Sequence, residues 1–502
     1  MKKQLEKLRE VLSHCSYKMI MGLFIVFTFS MSFMTLIFKT TVKGRNEHAI
    51  LSLQPFYILV GVVFVFLVLY ALRNVLEKIS IKHMSIILSL IYLILGSILI
   101  FTIDAPVRAD AGAVFKAMNE FSVGNYSALQ HGNYLSYYPH QLGLVLYESL
   151  LGIISKNSTF FYYINLIQVI LTNIFLAKSV ELYTEKNSLQ AKYTLLLGFM
   201  FLPQLFFIRF LYGEIPGQFF LVLALYLISL YIKKTKWAYA LAGALALSVG
   251  ILLRSNYLIA FIACILSLLI LSLREKNFRH LIAIAMIVIA HVIGGKGVNA
   301  YYRHVSGINY GKGIPKIMWI TMGMQNGKRA EGWYNSYSLK TYLSLNQDEE
   351  KSKEAAKKDM KIRLEKFKND PAYALNFYGN KIATTWTDPT FMSLWSGAHG
   401  GMKNTYHSSF IKSLYQDKVT RNYRILEFIM SSFNIFIALM AFIYSIIMIK
   451  KKDISFMALF AMLFMIGGFF FHILWETKAQ YVATYYYFFI LFAYPLTLSK
   501  SK

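Results

Sequence analysis

The chain has 502 residues, 56% of them hydrophobic and 15% charged, and its repeated apolar runs of membrane-spanning length predict an all-α, polytopic membrane protein. The net charge of +27 would indicate nucleic-acid binding in a soluble protein, but the positive residues gather between the apolar runs, as the positive-inside rule expects. Two cysteines, Cys15 and Cys264, are too few for a disulfide framework or a thiolate zinc site.

Residues 1–103 are predicted to form a basic N-terminal tail and three membrane spans. The apolar run from Tyr17 to Phe38 follows a tail too charged for a signal peptide and has no small-residue cleavage site after it, so it should remain as the first span. Pro55 to Leu72 and Met84 to Ile103 are the next two spans. If the tail is cytoplasmic, the third span delivers the following loop to the outer face.

Residues 104–158 are predicted to form an extracytoplasmic acidic loop with amphipathic helices. Asp104, Asp110 and Glu120 are its acids, and a helical apolar pattern runs from Val114 to Phe121. The apolar run from Leu142 to Ile154 is too short to cross a bilayer and better suits an interfacial helix.

Residues 159–297 are predicted to form the transmembrane core. Phe160 to Tyr183, Tyr193 to Phe210 and Gln218 to Ile232 are single spans, and His280 to Gly294 is the last of this group. Trp237 to Leu273 would be roughly 55 Å long as one helix, so it should fold into two spans at Arg254-Ser255-Asn256.

Residues 298–423 are predicted to form a mixed extracytoplasmic domain, and residues 424–502 the C-terminal spans. Within the domain, Asp348 to Phe367 is typical of a charged surface helix that ends before Pro371. The last three spans bring the total to about twelve, with both termini cytoplasmic and with basic clusters at Lys450-Lys451-Lys452 and Lys500-Ser501-Lys502 inside.

This topology brings polar residues from separate outward turns to one membrane face, where ionisable side chains are functional candidates. Asp110 and Asp104 are the candidate catalytic residues, with Asp110 as the base. Arg254 and Lys478 are candidates for binding a donor phosphate. The candidate substrate-binding residues are His140, Gln141, Glu214, Asn256, Trp333, Glu476 and Tyr481.

Each candidate also has a simpler interpretation. Asp110 could be a solvated loop acid and Asp104 the N-cap of the loop helix. Arg254 could be a snorkelling anchor, and Glu214 a structural partner for Arg209. His140 is more often a hydrogen-bonded corner residue than a ligand. The tryptophans could be interface anchors, and Trp333 is the one favoured for stacking on a sugar.

The acidic loop, the turn Tyr138-Pro139-His140-Gln141-Leu142-Gly143, the outward acid Glu214 and the later stretch WAYALAGALALSVGILLRSN together resemble the GT-C fold glycosyltransferases. The chain looks most similar to the bacterial members related to protein O-mannosyltransferases and aminoarabinose transferases. The resemblance covers roughly Ile103 to Phe278 and returns at Glu476 to Tyr481. Ala111 and Tyr137 depart from it, because acids are frequent at both positions in relatives.

The resemblance implies a polyprenyl-phosphate-linked sugar as donor, presented from the outer leaflet, with Asp110 as base. The acceptor would belong to the cell envelope: a polysaccharide, teichoic acid, glycolipid or protein. A single base predicts inversion at the anomeric carbon. No cofactor is predicted, and a divalent metal is left open as an alternative that the sequence does not indicate. The alternatives are a transporter or flippase of lipid-linked saccharides, and a polymerase or ligase of surface polysaccharide.

Overall fold

The computed structural model describes residues 2–44, 46–398, 404–415, 420–450 and 454–498. This part of the chain is helical nearly throughout, with two small two-stranded antiparallel sheets. Nine of its helices are long and apolar enough to cross a membrane: His14–Ile37, Ile58–Lys78, Ile81–Phe101, Ser158–Glu181, Glu214–Lys234, Ser255–Glu275, Arg279–Ser306, Arg421–Met448 and Phe456–Leu474. The all-α, polytopic membrane class is therefore confirmed.

The N-terminal third contains three of these spans and the acidic loop. Its elements are α1 (Lys2–Ile37), β1 (Phe38–Lys43), β2 (His48–Leu53), α2 (Ile58–Ala71), α3 (Arg73–Lys78), α4 (Ile81–Phe101), β3 (Ile103–Asp104), α5 (Ala109–Phe121), α6 (Tyr134–Tyr137) and α7 (Leu142–Gly152). Strands β1 and β2 form a hairpin in which Lys43 pairs with His48. The helix predicted after the third span is present as α5, and α7 is a helix of 11 residues.

The middle of the chain contains the transmembrane core, with α8 (Ser158–Glu181), α9 (Leu189–Met200), α10 (Pro203–Phe207), α11 (Glu214–Lys234), α12 (Trp237–Leu253), α13 (Leu258–Glu275) and α14 (Arg279–Ser306). The predicted fold at Arg254 is confirmed, because α12 and α13 are separate helices joined by a short 3-10 turn. Helices α11 and α12 pack closely, since a Cβ on Gly243 would lie 2.8 Å from Ile228.

The C-terminal half contains α15 (Ile317–Gly323), α16 (Tyr337–Ser344), α17 (Glu349–Asn369), α18 (Pro371–Trp386), α19 (Ser393–Ser396), β4 (Thr405–Tyr406), α20 (Ser409–Leu414), α21 (Arg421–Met448), α22 (Phe456–Leu474) and α23 (Ala479–Tyr487). The predicted charged helix is α17, whose N-cap is Asp348. The basic residues Lys451, Lys452 and Lys500 to Lys502 lie outside the described residues.

Two predicted spans are interrupted in the structure. The segment from Tyr193 to Phe210 is divided into α9 and α10, because the ring of Pro203 excludes the helical bond to the carbonyl of Phe199. That carbonyl accepts a hydrogen bond from the Tyr92 hydroxyl instead. The last segment leaves α-helical geometry after Tyr487 and continues as two short 3-10 helices, Phe488–Phe492 and Tyr494–Thr497.

The helices give the molecule two chemically different ends. We call the end that carries the β-hairpin, α5 and the turn at Arg254 the loop end. The opposite end carries basic residues that bond to carbonyls where other spans finish or begin: Arg73 to Leu498 and Arg274 to Ile454. We call it the basic end.

Candidate functional site

The loop end is built around the start of α5. Asp110 lies in the first turn of this helix, where a carboxylate is favoured by the helix dipole, and it is exposed. Arg108 holds the turn in place by donating to the carbonyl of Trp395 and lying over its ring, 4.3 Å from the centroid. The Asp110 carboxylate is therefore exposed, while Arg108 holds the backbone next to it in place.

Asp104 lies just before this turn and has a different environment. Its backbone pairs with Thr405 in the short β3–β4 sheet, and its side chain is exposed. The N-cap residue of α5 is Arg108, without a side-chain cap hydrogen bond. The interpretation of Asp104 as the cap of the loop helix is therefore wrong.

Several tyrosines lie near enough to Asp110 to be influenced by its charge. Burial is the main cause of the raised pKa of Tyr134 and of Tyr138, and the charge of Asp110 adds to both shifts. The Tyr134 hydroxyl lies 3.4 Å from that of Tyr212. Gln141 is buried and donates to the Tyr212 hydroxyl at 2.7 Å. Asp110 therefore faces a hydrogen-bonded aromatic wall.

A buried ion pair lies next to this wall. Arg254 Nη2 is 2.8 Å from Glu214 Oε1, and Gln480 donates to the same oxygen. The guanidinium is sandwiched between the rings of Tyr212 and Tyr481, 5.1 Å and 5.2 Å from their centroids. Three turns that are far apart in sequence therefore meet at one end of the molecule, as the alternating spans predicted.

The pairing itself corrects one interpretation. Glu214 is not the partner of Arg209, which instead donates to the carbonyls of Leu99 and Ile100 at 3.3 Å and 3.0 Å. Arg254 is not a snorkelling anchor either, because its side chain is only 12% exposed and is paired inside the protein.

A second charged group lies beside the first and is centred on the tip of the β-hairpin. Glu47 is buried and binds two cations: Arg329 through Oε2, and Lys478 through Oε1 at 3.4 Å. Burial lowers the pKa of Lys478, while the charges of Glu476 and Asp110 oppose that lowering. Lys478 is therefore near enough to Asp110 for the two charges to interact.

Glu476 is almost completely buried, at 4% exposure. Its Oε1 has no hydrogen-bond partner among the described residues. Burial raises the pKa of its carboxyl group above the ordinary value, and the nearby Lys478 charge opposes the rise. Glu476 therefore has little surface with which to contact a substrate directly.

The remaining predicted substrate-binding residues are placed unequally. His140 is exposed beside Gln141, and Asn256 is half-buried in the turn that follows Arg254. Tyr481 stacks on Arg254 as described above.

Trp333 is fully buried and packs with Ala49, Met392 and Ala479. Its ring has no free face for a sugar, so the stacking role predicted for Trp333 is not supported.

Lys381, which the sequence did not single out, holds backbone segments beside the site in place. Its buried ammonium donates to the carbonyls of Gly323, Ile473 and Trp475 at 2.6, 2.8 and 2.9 Å. Two of these carbonyls lie at the C-terminus of α22, where the helix dipole favours a cation. Gly332, with φ of 69°, lets the chain pass so closely that a Cβ there would lie 2.6 Å from the Lys381 side chain.

We expect Lys381→Met to lower the free energy of unfolding by on the order of 3 kcal/mol, because it leaves three buried carbonyls without a donor. Chemical unfolding of the purified protein in detergent measures the change. Lys368→Met, at an exposed position of α17, is the matched control and should be nearly neutral. Equal stability of the two variants would contradict this role.

The sequence left Glu47, Arg329 and Lys381 out of the site. Glu47 is the single acidic residue between the first two predicted spans, and this was the one feature of the sequence that could have marked it as a site residue. Arg329 and Lys381 lie in the long polar segment, where nothing in the sequence separates them from the many other cations. Among the described residues, no three His, Cys, Asp or Glu side chains are arranged to hold a metal ion.

Comparison with known proteins places the chain in a family. No curated protein and no solved structure matches it. One family model, described as conserved hypothetical integral membrane protein, matches residues 9–502, which is nearly the whole chain. The protein therefore belongs to this family of conserved integral membrane proteins.

Proposed function

We propose that this protein is a membrane glycosyltransferase that moves a sugar from a polyprenyl-phosphate donor to an acceptor of the cell envelope. The observation that supports it is the arrangement at the loop end: an exposed carboxylate, Asp110, lies beside a group of largely buried cations, Arg254, Arg329 and Lys478. Transfer from a lipid phosphate needs a base for the acceptor and positive charge for the leaving group.

In this proposal Asp110 accepts the proton of the acceptor hydroxyl as the hydroxyl oxygen bonds to the anomeric carbon. The bond from that carbon to the phosphate oxygen breaks, and its electron pair leaves with the polyprenyl phosphate. One base and a direct displacement give inversion. In the same proposal His140, next to Gln141, and Asn256, in the turn after Arg254, bind the sugar or the acceptor.

The charges of the site favour an anion beside Arg329 and Lys478 over an anion beside Arg254 alone. Arg254 is neutralised by Glu214, whereas Arg329 and Lys478 share the single carboxylate of Glu47. Burial raises the pKa of the Glu476 carboxyl to about 7, so at neutral pH its negative charge offsets these cations only in part. The surplus positive charge therefore lies on the side of Lys478, which we propose binds the donor phosphate together with Arg254.

The donor test uses purified protein and a panel of polyprenyl-phosphate sugars that differ in the sugar. We expect one of them to be consumed with release of polyprenyl phosphate, faster when an envelope acceptor is added. Conversion of none of them, by protein whose fold is intact, would reject this class of donor.

The loop end is proposed to be extracytoplasmic, because the basic end carries the short positive loops that normally stay in the cytoplasm. We expect Lys340→Cys, exposed in α16, to react with an impermeant thiol reagent in intact cells. Lys236→Cys, exposed at the basic end, should react only after permeabilisation. A Cys15→Ser background removes the exposed native thiol, and the reverse labelling pattern would overturn the orientation.

The second candidate is a transporter or flippase of lipid-linked saccharides. The interruption between α9 and α10 favours it, because transporters use broken helices near the midplane to bind their substrates. Aromatic side chains, including Tyr92, Phe201 and Phe391, pack around this break, and Gln204 in α10 adds a buried polar side chain. A polysaccharide polymerase or ligase would share the transfer chemistry and differ in its donor.

A further inference from the structure

A cavity of about 440 Å³ lies at the loop end on the outside of the β-hairpin, between the hairpin and the starts of α2 and α21. Lys39, Thr41 and Lys43 line it from β1, since alternate residues of a strand point to the same face. The intervening Thr40 points the other way and is fully buried, with its hydroxyl on Thr387. The cavity and the Asp110 site thus lie on different sides of one hairpin.

The cavity carries surplus positive charge. Its charged lining residues are Lys39, Lys43, Arg424 and Glu427. Glu427 is buried and already bound, by Lys39 at 2.8 Å and by the Thr41 hydroxyl at 2.9 Å. Among the described residues, neither Lys43 nor Arg424 has an ion-pair partner, and both are exposed. Two cations are therefore left for an anion that enters from outside.

The same cavity continues onto apolar membrane-facing surface. Tyr57 and Ile58 line it at the start of α2, and Phe428 lines it on α21. Below them, side chains such as Val60, which is 70% exposed, and Ile429, which is 48% exposed, lie on the outer surface of two spans. An occupant can therefore place a charged group between the cations and hydrocarbon chains along α2 and α21.

We propose that this cavity binds the anionic headgroup of a phosphate-bearing phospholipid from the leaflet at the loop end. Two free cations beside a polar cavity match a phosphate diester whose headgroup carries no positive charge of its own, and the adjoining apolar surface of two spans matches acyl chains. The proposal does not depend on the glycosyltransferase reaction, because none of the residues proposed for that reaction lines this cavity.

The test titrates purified protein in a neutral detergent with spin-labelled phosphatidylglycerol, and with phosphatidylcholine as the match in chain length. We expect phosphatidylglycerol to bind more tightly, and Lys43→Gln/Arg424→Gln to weaken it about tenfold, since each cation near a lipid headgroup contributes appreciable attraction. Lys357→Gln/Lys358→Gln, two exposed cations of α17, is the matched control and should bind like the wild type.

A second variant tests the cavity rather than its charge. Ser52 is exposed on β2 and lines the cavity, so Ser52→Trp should fill it and weaken phosphatidylglycerol binding without removing a cation. An unchanged thermal unfolding midpoint verifies that both variants are folded. Undiminished phosphatidylglycerol binding in either variant would overturn the proposal. Equal binding of phosphatidylcholine, or full displacement by inorganic phosphate, would also overturn it, the latter by indicating a soluble anion.

Discussion

Asp110→Asn is expected to reduce sugar transfer by at least about a hundredfold, the lower range for loss of a general base. Asparagine keeps the shape and the hydrogen-bonding reach of the aspartate but cannot accept the acceptor's proton. Because Asp110 is exposed in the first turn of α5, the substitution should leave the fold intact. Initial rates with the donor found by the panel measure the effect, and donor binding should remain close to that of the wild type.

Asp104→Asn is the matched control within the same loop. Its side chain is also exposed, but it lies in the short strand before the turn, so its loss should cost much less turnover. If Asp104→Asn is inactive while Asp110→Asn is active, the base has been assigned to the wrong aspartate. If both variants transfer sugar normally, the enzymatic proposal fails and the transporter becomes the better candidate.

Arg254→Ala is expected to have two separable effects. Loss of a charge-assisted contact should weaken donor binding by about tenfold to a hundredfold. Removal of one partner of a buried ion pair should also cost about 3–5 kcal/mol of stability, because the Glu214 carboxylate is left buried without a countercharge. Donor titration measures the first effect, and chemical unfolding measures the second.

The double variant Arg254→Ala/Glu214→Gln separates the two. Glutamine is neutral and can still pair with Gln480, so the double variant should regain much of the lost stability while donor binding stays weak. Glu214→Gln alone keeps Arg254 and should bind the donor at least as well as the wild type. Normal donor binding in the double variant would reduce Arg254 to a structural role and leave Lys478 as the phosphate-binding candidate.

The sequence predicts the large features of this fold because the bilayer constrains them. The bend at Arg254 follows from the length of the apolar run, and the meeting of Glu214, Arg254 and Tyr481 follows from alternating spans. The interruption at Phe201 was also predictable, since Pro203 cannot continue a helix, but the apolar composition of the segment concealed it.

The details of the site depend on packing that no local pattern records. Glu214 lies close to Arg209 in sequence, yet its ion-pair partner is Arg254, because the turn after α12 comes beside the start of α11.

Trp333 is the type of side chain that stacks on sugars, yet it is buried against Met392 and Ala479 from distant segments. Glu47 enters the site only because the β-hairpin places its tip against Arg329 and Lys478.

The most direct test follows both halves of the donor in one experiment. Protein reconstituted in liposomes is given the active polyprenyl-phosphate sugar with one label on the sugar and another on the lipid, together with acceptor on the side of the loop end. The glycosyltransferase proposal predicts that the two labels separate, with the sugar on the acceptor and the lipid recovered as polyprenyl phosphate, and that Asp110→Asn abolishes the separation. Movement of the intact, doubly labelled donor between leaflets, with no transfer to the acceptor, would contradict it.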